Sequence, residues 1–411
     1  MKNNCDLLKI KRLILRFGVL ILLSGNPYHS FSQVKILFDA TKAESAGNAD
    51  WVIDADLHNM NWGSSGGYTC GSCTESNAQR IPTPAQSGIT SSTSETYWEG
   101  ALSAWAVDCV NKGYTVETLP FGTALTYGNT SNPQDLSNYK VFIVCEPNIL
   151  FTSAEKTAIL NFVNNGGGLF MVSDHSNSDR NGDGYDSPTI WDDLLQSNST
   201  GNTNPFGIIF DQVDISGTYS NVASLPANDS ILHGPMGNVS EVKWTNGTTI
   251  TINPIVNPSA KAVIYKTGTV SGNLNAVVAY ARYGKGKVVA IGDSSPCDDG
   301  TGDPNDNLFT GYTGDVPPNH RNLLMNGTIW LAAYDHITYT FTGNGNWNVA
   351  ANWSNNIIPP AVLPSGDSII INPGSGSTCY LNVSQTISSG ANLTVISGKP
   401  FLIPGELKIQ Q

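Results

Sequence analysis

Asp174 and His175 follow the apolar run Leu169-Phe-Met-Val172 after a single serine, and open α/β sheets hold their ligands beyond the carboxyl ends of such strands. Histidine titrates near neutrality and is the commonest transition-metal ligand. Asp39 ends the apolar run 34–38, Asp293 ends 287–291, and His320 opens the last helical pattern. Asp174, His175, Asp293, His320 and Asp39 are therefore the candidates for one catalytic edge. A divalent metal there would activate water against an ester, phosphate or glycan linkage. The plainer reading has Asp174 and His175 only orienting the loop that follows and capping its turn.

In that loop, Asp179-Arg-Asn181-Gly-Asp183-Gly-Tyr185, oxygen-bearing side chains alternate around glycines, the pattern that wraps a hard cation of the calcium type. Tyr185 would lend its carbonyl. Ile190 stands where an EF-hand carries its bidentate acid, so Asp186, Asp192 or Asp193 must complete the shell. The expectation is a mainly structural Ca2+ site on Asp179, Asn181, Asp183, Tyr185, Asp186 and Asp192. The alternative is a plain Asn/Asp/Gly turn.

Other groups carry weaker signals. Asp293-Ser-Ser-Pro-Cys-Asp-Asp-Gly300 offers serines with His320 or His175 as base, but the Gly-x-Ser-x-Gly elbow is absent. Glu146 ends its strand on the same edge and, paired with Asp174, would make a glycosidase-like carboxylate couple. Cys145 reads as a small core residue. Cys70-Gly-Ser-Cys73 has redox spacing but lies in a Gly/Ser-rich stretch, where a local disulfide or two free thiols fits better. Trp51, Trp62, Trp347 and Trp353 can stack on sugar rings, although burial is the default for tryptophan.

Composition narrows the classes. The 411 residues carry Lys+Arg 21 against Asp+Glu 33, a net charge of -12, which leaves no basic surface for a phosphate backbone and argues against nucleic-acid binding. Lys2, Lys9, Lys11, Arg12 and Arg16 precede a short apolar stretch at 17–24, the outline of a signal peptide. Cleavage is expected after Ser32, with export to the cell surface or medium. Removing those five bases and Asp6 leaves Lys+Arg 16 and Asp+Glu 32, a net of -16. No later run is apolar and long enough for a transmembrane span.

The elements that position these residues follow from periodicity. Between 33 and 335, short apolar runs alternate with amphipathic segments, the signature of strands crossing to helices in a mostly parallel sheet. One helix is expected to open at Ser92-x-x-Glu95, bury Trp98, Leu102, Trp105 and Cys109, and stop at Gly113; a second opens at Thr152-x-x-Glu155 and stops at 166–168. A short helix follows at 190–195, and a last one spans 321–334. The runs 276–280 and 287–291 flank Tyr283-Gly-Lys-Gly286, a hairpin. From 336 to 411 helical periodicity gives way to Thr, Asn, Gly and Ser with short alternating strands, a separate β-rich module.

Four segments carry a family resemblance: Tyr139-Lys-Val-Phe-Ile-Val144 with the Thr152-Ser-Ala-Glu155 helix; Val163-Asn-Asn-Gly-Gly-Gly-Leu-Phe-Met-Val172; Ile231-Leu-His-Gly-Pro235; and Tyr283-Gly-Lys-Gly-Lys-Val-Val-Ala-Ile-Gly-Asp293 with its Trp330-Leu331 helix. In this order they resemble the non-catalytic branch of the class I glutamine amidotransferase-like fold, found in gliding-type and intraflagellar-transport proteins. The resemblance implies a flavodoxin-like α/β domain with helices on both faces. Catalytic members carry a cysteine in a Gly-x-Cys-x-Gly elbow after the strand that matches 169–172; here the chain reads Val172-Ser-Asp-His175, so amidotransferase chemistry is not expected. Relatives have His followed directly by Pro where this chain has His233-Gly-Pro235. The tail, with Gly345-Asn-Trp-Asn348, Asn352-Trp353 and Val362-Leu-Pro-Ser-Gly-Asp367, resembles surface modules of gliding and gut-type bacteria, which implies an extracellular accessory role. Two functions stay open: a surface protein that binds calcium and a glycan or protein ligand, and an extracellular metal-dependent hydrolase.

Overall fold

In a computed structural model, the described residues are 33–410 except 47–48, 55–84, 95, 99, 121, 199–203, 224, 227–228, 270 and 301–308. The proposed signal peptide, Trp62, the Cys70/Cys73 pair and Glu95 lie outside them. The sheet starts from segments apolar enough to be buried on both faces: β1 (Lys35–Asp39), β2 (Thr115–Leu119), β3 (Val141–Cys145) and β4 (Gly168–Val172). Every residue of β3 and β4 is buried, as expected of central parallel strands. Six more strands complete it: β5 (Ile208–Phe210), β6 (Asn221–Val222), β7 (Ile250–Ile252), β8 (Lys261–Tyr265), β9 (Ala276–Tyr283) and β10 (Gly286–Ile291).

The strand order is β2-β1-β3-β4-β10-β9-β7-β5, with β8 beside β9 and β6 beside β8. The first five strands are parallel, in the flavodoxin-like order, and β9 turns the sheet antiparallel through the expected hairpin. Helices α1 (Ser103–Asn111) and α4 (Asn319–Ala332) belong to the core on one face; α2 (Ser153–Asn164) and α3 (Ser187–Gln196) belong to the core on the other. The chain therefore has the expected mixed α/β architecture.

Helix α2 starts with the expected box: the Thr152 hydroxyl accepts from Glu155 N, and the Glu155 carboxylate takes Thr152 N at 2.7 Å. Helix α1 begins at Ser103 rather than at the Ser92 signal. Around Ser92 the hydroxyls serve turns instead, with Thr93 Oγ1 accepting from Thr90 N at 2.7 Å and Thr90 Oγ1 from Ser92 N at 3.3 Å. This is the competition by which Ser and Thr leave helices. Gly100, just ahead of α1, packs so closely on the Val52 carbonyl that a Cβ would collide with it.

The tail is a parallel β-coil. Its strands are β11 (Thr338–Phe341), β12 (Gly345–Asn346), β13 (Val362–Leu363), β14 (Ser368–Ile371), β15 (Cys379–Tyr380), β16 (Ser384–Ile387), β17 (Asn392–Val395), β18 (Phe401–Leu402) and β19 (Glu406–Ile409). They stack as three parallel sheets, β11-β14-β17, β12-β15-β18 and β13-β16-β19, so each turn of chain lays one strand on each side. Its hydrophobic cluster is its own. Trp347 and Trp353 meet edge-on at 4.7 Å inside it, fully buried, so neither offers a sugar platform.

Candidate functional site

The carboxyl ends of the parallel strands gather acids. Asp39 stands at the end of β1, Glu146 follows β3, Asp174 follows β4 and Asp293 follows β10. All four are at most 2% exposed. Glu146 is held at φ 50°, a left-handed conformation uncommon for a residue with a side chain, and its turn aims the carboxylate across the strand ends.

Three donors meet that carboxylate: Trp51 Nε1 at 2.9 Å, Ser294 Oγ at 2.6 Å and Arg180 Nε at 3.0 Å. The same guanidinium donates to Asp174 Oδ2 at 2.5 Å. Arg180 therefore sits between Glu146 and Asp174 as a clamp. Asp293 is bound by backbone, accepting from Thr245 N at 2.7 Å and Ser295 N at 2.8 Å. Asp39 accepts from Thr41 N at 3.0 Å and lies beside the equally buried Glu44.

So many acids out of water cannot all ionise. Burial pushes Asp293 up to about 8. Burial, reinforced by the charges of Glu146 and Asp293, lifts Asp174 well above the carboxylate range. Burial and then Asp39 do the same to Glu44. Asp174 is within hydrogen-bond reach of Glu146, and Asp39 of Glu44, so each couple can share a proton.

The structure thus brings Asp174, Asp293 and Glu146 into one cluster. It does not bring in His320. That ring donates from Nδ1 to Gly311 O at 2.8 Å and accepts from Lys243 N at Nε2 at 2.9 Å, so both nitrogens are committed to backbone, and burial lowers its pKa. His175 donates from Nδ1 to Ser176 O at 2.7 Å, and its Nε2 lies 3.6 Å from Asp174 Oδ2, beyond a hydrogen bond. Ser294 is paired to Glu146 rather than to a histidine. The glycosidase geometry needs room for substrate between its carboxylates, and here Arg180 fills it.

The loop expected to hold calcium closes on itself. Asp179 accepts from Gly182 N, Asp183 N and Gly184 N at 2.8, 3.1 and 2.8 Å. Asn181 accepts from Asp183 N, and Asp183 from Tyr185 N. Asp179, Asn181, Asp183 and Tyr185 do share one turn, but the other two expected ligands are spent elsewhere. Asp186 is the N-cap of α3, accepting from Thr189 N at 3.0 Å, and also takes Asn177 N. Asp192 accepts from Phe210 N, and burial pushes it up to about 7. Among the described residues, no group of three or more His, Cys, Asp and Glu side chains is placed to hold a metal. Helix α3 starts earlier than its apolar run because Asp186 and Pro188 supply a cap and a first turn.

Arg180, Trp51, Lys42 and Glu44 complete this edge; of these the sequence had singled out only Trp51, and as a sugar-stacking ring rather than a carboxylate partner. Lys42 pairs with Glu155 at 2.7 Å, tying the loop after β1 to the head of α2. The available signal for Arg180 was its place as the one base within an acidic loop.

Two clefts open on the α/β domain, one of them walled by Thr245 and Ser295, whose N–H groups bind Asp293. One, of about 250 Å3, is lined by Lys243, Ser295, His320 and neighbours; the other, of about 440 Å3, lies between β8, β9 and the end of α4. No described helix is long and apolar enough to cross a membrane.

No protein-family model and no curated protein matches the sequence. Among solved structures, the chain is similar to the N-terminal domain of mmIFT52 at 14% identity and TM-score 0.40, covering 73% of this chain and 98% of that one. It is also similar to a thuA-like protein from Parabacteroides merdae at 11% identity and TM-score 0.36, covering 73% and 90%. A cytoplasmic protein from Salmonella typhimurium follows at 14% and 0.34, covering 57% and 87%. These likenesses are low and carry no argument about chemistry.

Proposed function

We propose that the chain is an exported surface protein whose α/β domain, of the non-catalytic amidotransferase-like branch, binds a glycan or protein ligand. One observation carries this: the carboxyl edge, where this architecture would do chemistry, is plugged by the protein itself. Arg180, Trp51 and Ser294 occupy the Glu146 carboxylate, and Arg180 occupies Asp174 as well. No cysteine follows β4, and the Cys145 thiol is buried, with burial and the nearby Cys297 raising its pKa well above the ordinary range. A thiolate nucleophile is therefore disfavoured there. The signal-like segment at 1–32 supports export.

Calcium enters this proposal as a brace on the 179–185 loop, held by Asp179, Asn181, Asp183 and the Tyr185 carbonyl. With Asp186 and Asp192 engaged elsewhere, the shell is short of oxygens, and the expected affinity is in the weak range of extracellular modules, about 10⁻⁴–10⁻³ M.

The test is the metal content and hydrolytic activity of the mature chain beside its Asp174→Asn variant. The proposal expects no stoichiometric transition metal in either protein and no ester, phosphate or glycan turnover that the variant abolishes. A zinc, iron or manganese ion bound one to one and lost on Asp174→Asn would sink it in favour of the metal-dependent hydrolase.

A further inference from the structure

The basic residues of this acidic protein are unevenly placed. Lys35 opens β1, Lys140 precedes β3, Lys287 lies at the start of β10, and Arg282 lies opposite Lys287 in register on β9. The amino edge of the sheet thus collects bases in a chain of net charge -12, although Lys35 pairs with Glu117, and Lys287 and Arg282 share Asp335. The 440 Å3 cleft opens beside this edge, within the size range of small-molecule sites.

Its walls have distinct chemistry. Tyr280 and Trp330, 5.1 Å apart at 63°, form an aromatic corner that is half-buried rather than sealed. The Tyr280 hydroxyl is fixed by Asp229 Oδ2 at 2.7 Å, while Asp229 Oδ1 accepts from Ile231 N and Leu232 N, both at 3.0 Å. That acid is thus spent on the protein, and its charge is offset by local N–H dipoles. The two cations are freer. Arg282 uses Nη1 on Asp335, and its guanidinium carbon lies 5.6 Å from the Trp330 ring centre. Lys261, paired in register with Tyr280 across the strands, is exposed and has no ion pair among the described residues.

We infer that this cleft is a binding site for an acidic sugar unit of an extracellular polysaccharide, with the Tyr280/Trp330 corner taking the ring and Lys261 and Arg282 taking its carboxylate. An aromatic wall supplies apolar contact for the C–H face of a pyranose. A guanidinium edge matches a carboxylate bidentately, and an unpaired ammonium adds a point charge. A neutral sugar would leave the Lys261 ammonium unanswered, whereas Arg282 already meets Asp335. A small inorganic anion would leave the aromatic corner empty. The inference rests on the proposal that the domain is a binding domain, and it names the site and the ligand class.

The test is calorimetric titration of the full mature chain with trigalacturonate and, separately, with neutral maltotriose and inorganic phosphate. Trigalacturonate is expected to bind, at least tenfold more tightly than maltotriose, and more weakly as salt rises. Lys261→Ala should weaken trigalacturonate at least fivefold without changing the melting temperature, since that side chain holds nothing in place. Trp330→Ala should weaken it further. Equal affinity for maltotriose, stronger binding of phosphate, no binding of trigalacturonate, or binding that Lys261→Ala leaves intact would each overturn the assignment. Saturable binding of maltotriose unaffected by Lys261→Ala would do so while leaving the broader binding proposal standing; metal-dependent turnover would remove that proposal instead.

Discussion

The two edges of one sheet have been built in opposite ways. At the carboxyl edge, Asp39, Glu44, Glu146, Asp174 and Asp293 are buried and answered by protein donors. At the amino edge, Lys261 and Arg282 reach solvent beside an aromatic corner. Charge that is buried and satisfied holds a fold together, whereas charge that is exposed beside an apolar wall is available to a ligand. The strand ends where an α/β sheet would be expected to act are here buried and hydrogen-bonded within the protein, and the open cleft lies at the other edge.

Breaking the clamp should show this most strongly. Arg180→Ala leaves Glu146 and Asp174 buried without their shared guanidinium, and losing one partner of a buried pair costs about 3 kcal/mol or more. The expected readout is a lowered urea midpoint with unchanged trigalacturonate affinity in the protein that remains folded. A catalytic or ligand-binding role for Arg180 would instead show as lost binding or turnover at unchanged stability. Trp51→Phe is a milder cut at the same carboxylate: it keeps an aromatic ring but removes the indole N–H that Glu146 accepts, and some buried volume with it. Its expected cost is about 1–3 kcal/mol, again in stability alone.

How far this edge was legible depended on what each residue does for the backbone. Asp39, Asp174 and Asp293 were readable because strand ends in a parallel sheet share an edge, and the apolar runs before them are unambiguous. The capping box at Thr152 was readable because its partners are local. His320 misled because its position at a helix start says nothing of which groups meet its ring, and Lys243 comes from a ribbon far away in sequence. Asp186 and Asp192 misled because a carboxylate suited to calcium is equally suited to an N-cap or a strand N–H. Trp51, Trp347 and Trp353, offered as sugar platforms, are core, while Trp330, half-buried against the core on α4, lines the open cleft. Periodicity places a ring on a helix face but cannot tell how far the neighbouring loop covers it. In the tail, alternation announced strands, yet parallel stacking in successive turns depends on pairings that no single strand encodes.

Asp293 holds its proton up to about 8 in the fold against 3.8 in the open chain, so between those values the folded state binds more protons than the unfolded one. Stability from this acid, and from Asp174 beside it, is present at low pH and is lost as pH rises through about 8. Asp174→Asn mimics the protonated acid, donating toward Glu146 and accepting from Arg180. The variant should match the wild type below about pH 4 and exceed it by a margin that grows as pH rises toward 8 in urea denaturation. A variant that is less stable at every pH would mean that Asp174 is needed as a full carboxylate.

The amino edge should bend the same curve the other way, and more gently. Burial and the charge of Lys287 lower Lys140 to about 8 against 10.5 in the open chain, so between those values it is the unfolded state that binds the extra proton. Stability from this lysine is therefore least below pH 8 and recovers as pH rises toward 10.5. Its ammonium donates to Gly166 O and lies over the Tyr334 ring at 4.4 Å, but it is partly open to solvent, which mutes the effect. Replacing it by methionine keeps the stem and removes the charge. With Asp174→Asn as background, Lys140→Met should flatten what remains of the upturn between pH 8 and 10. An upturn that survives Lys140→Met unchanged would place it in some other group and leave the amino edge with no electrostatic cost in the fold.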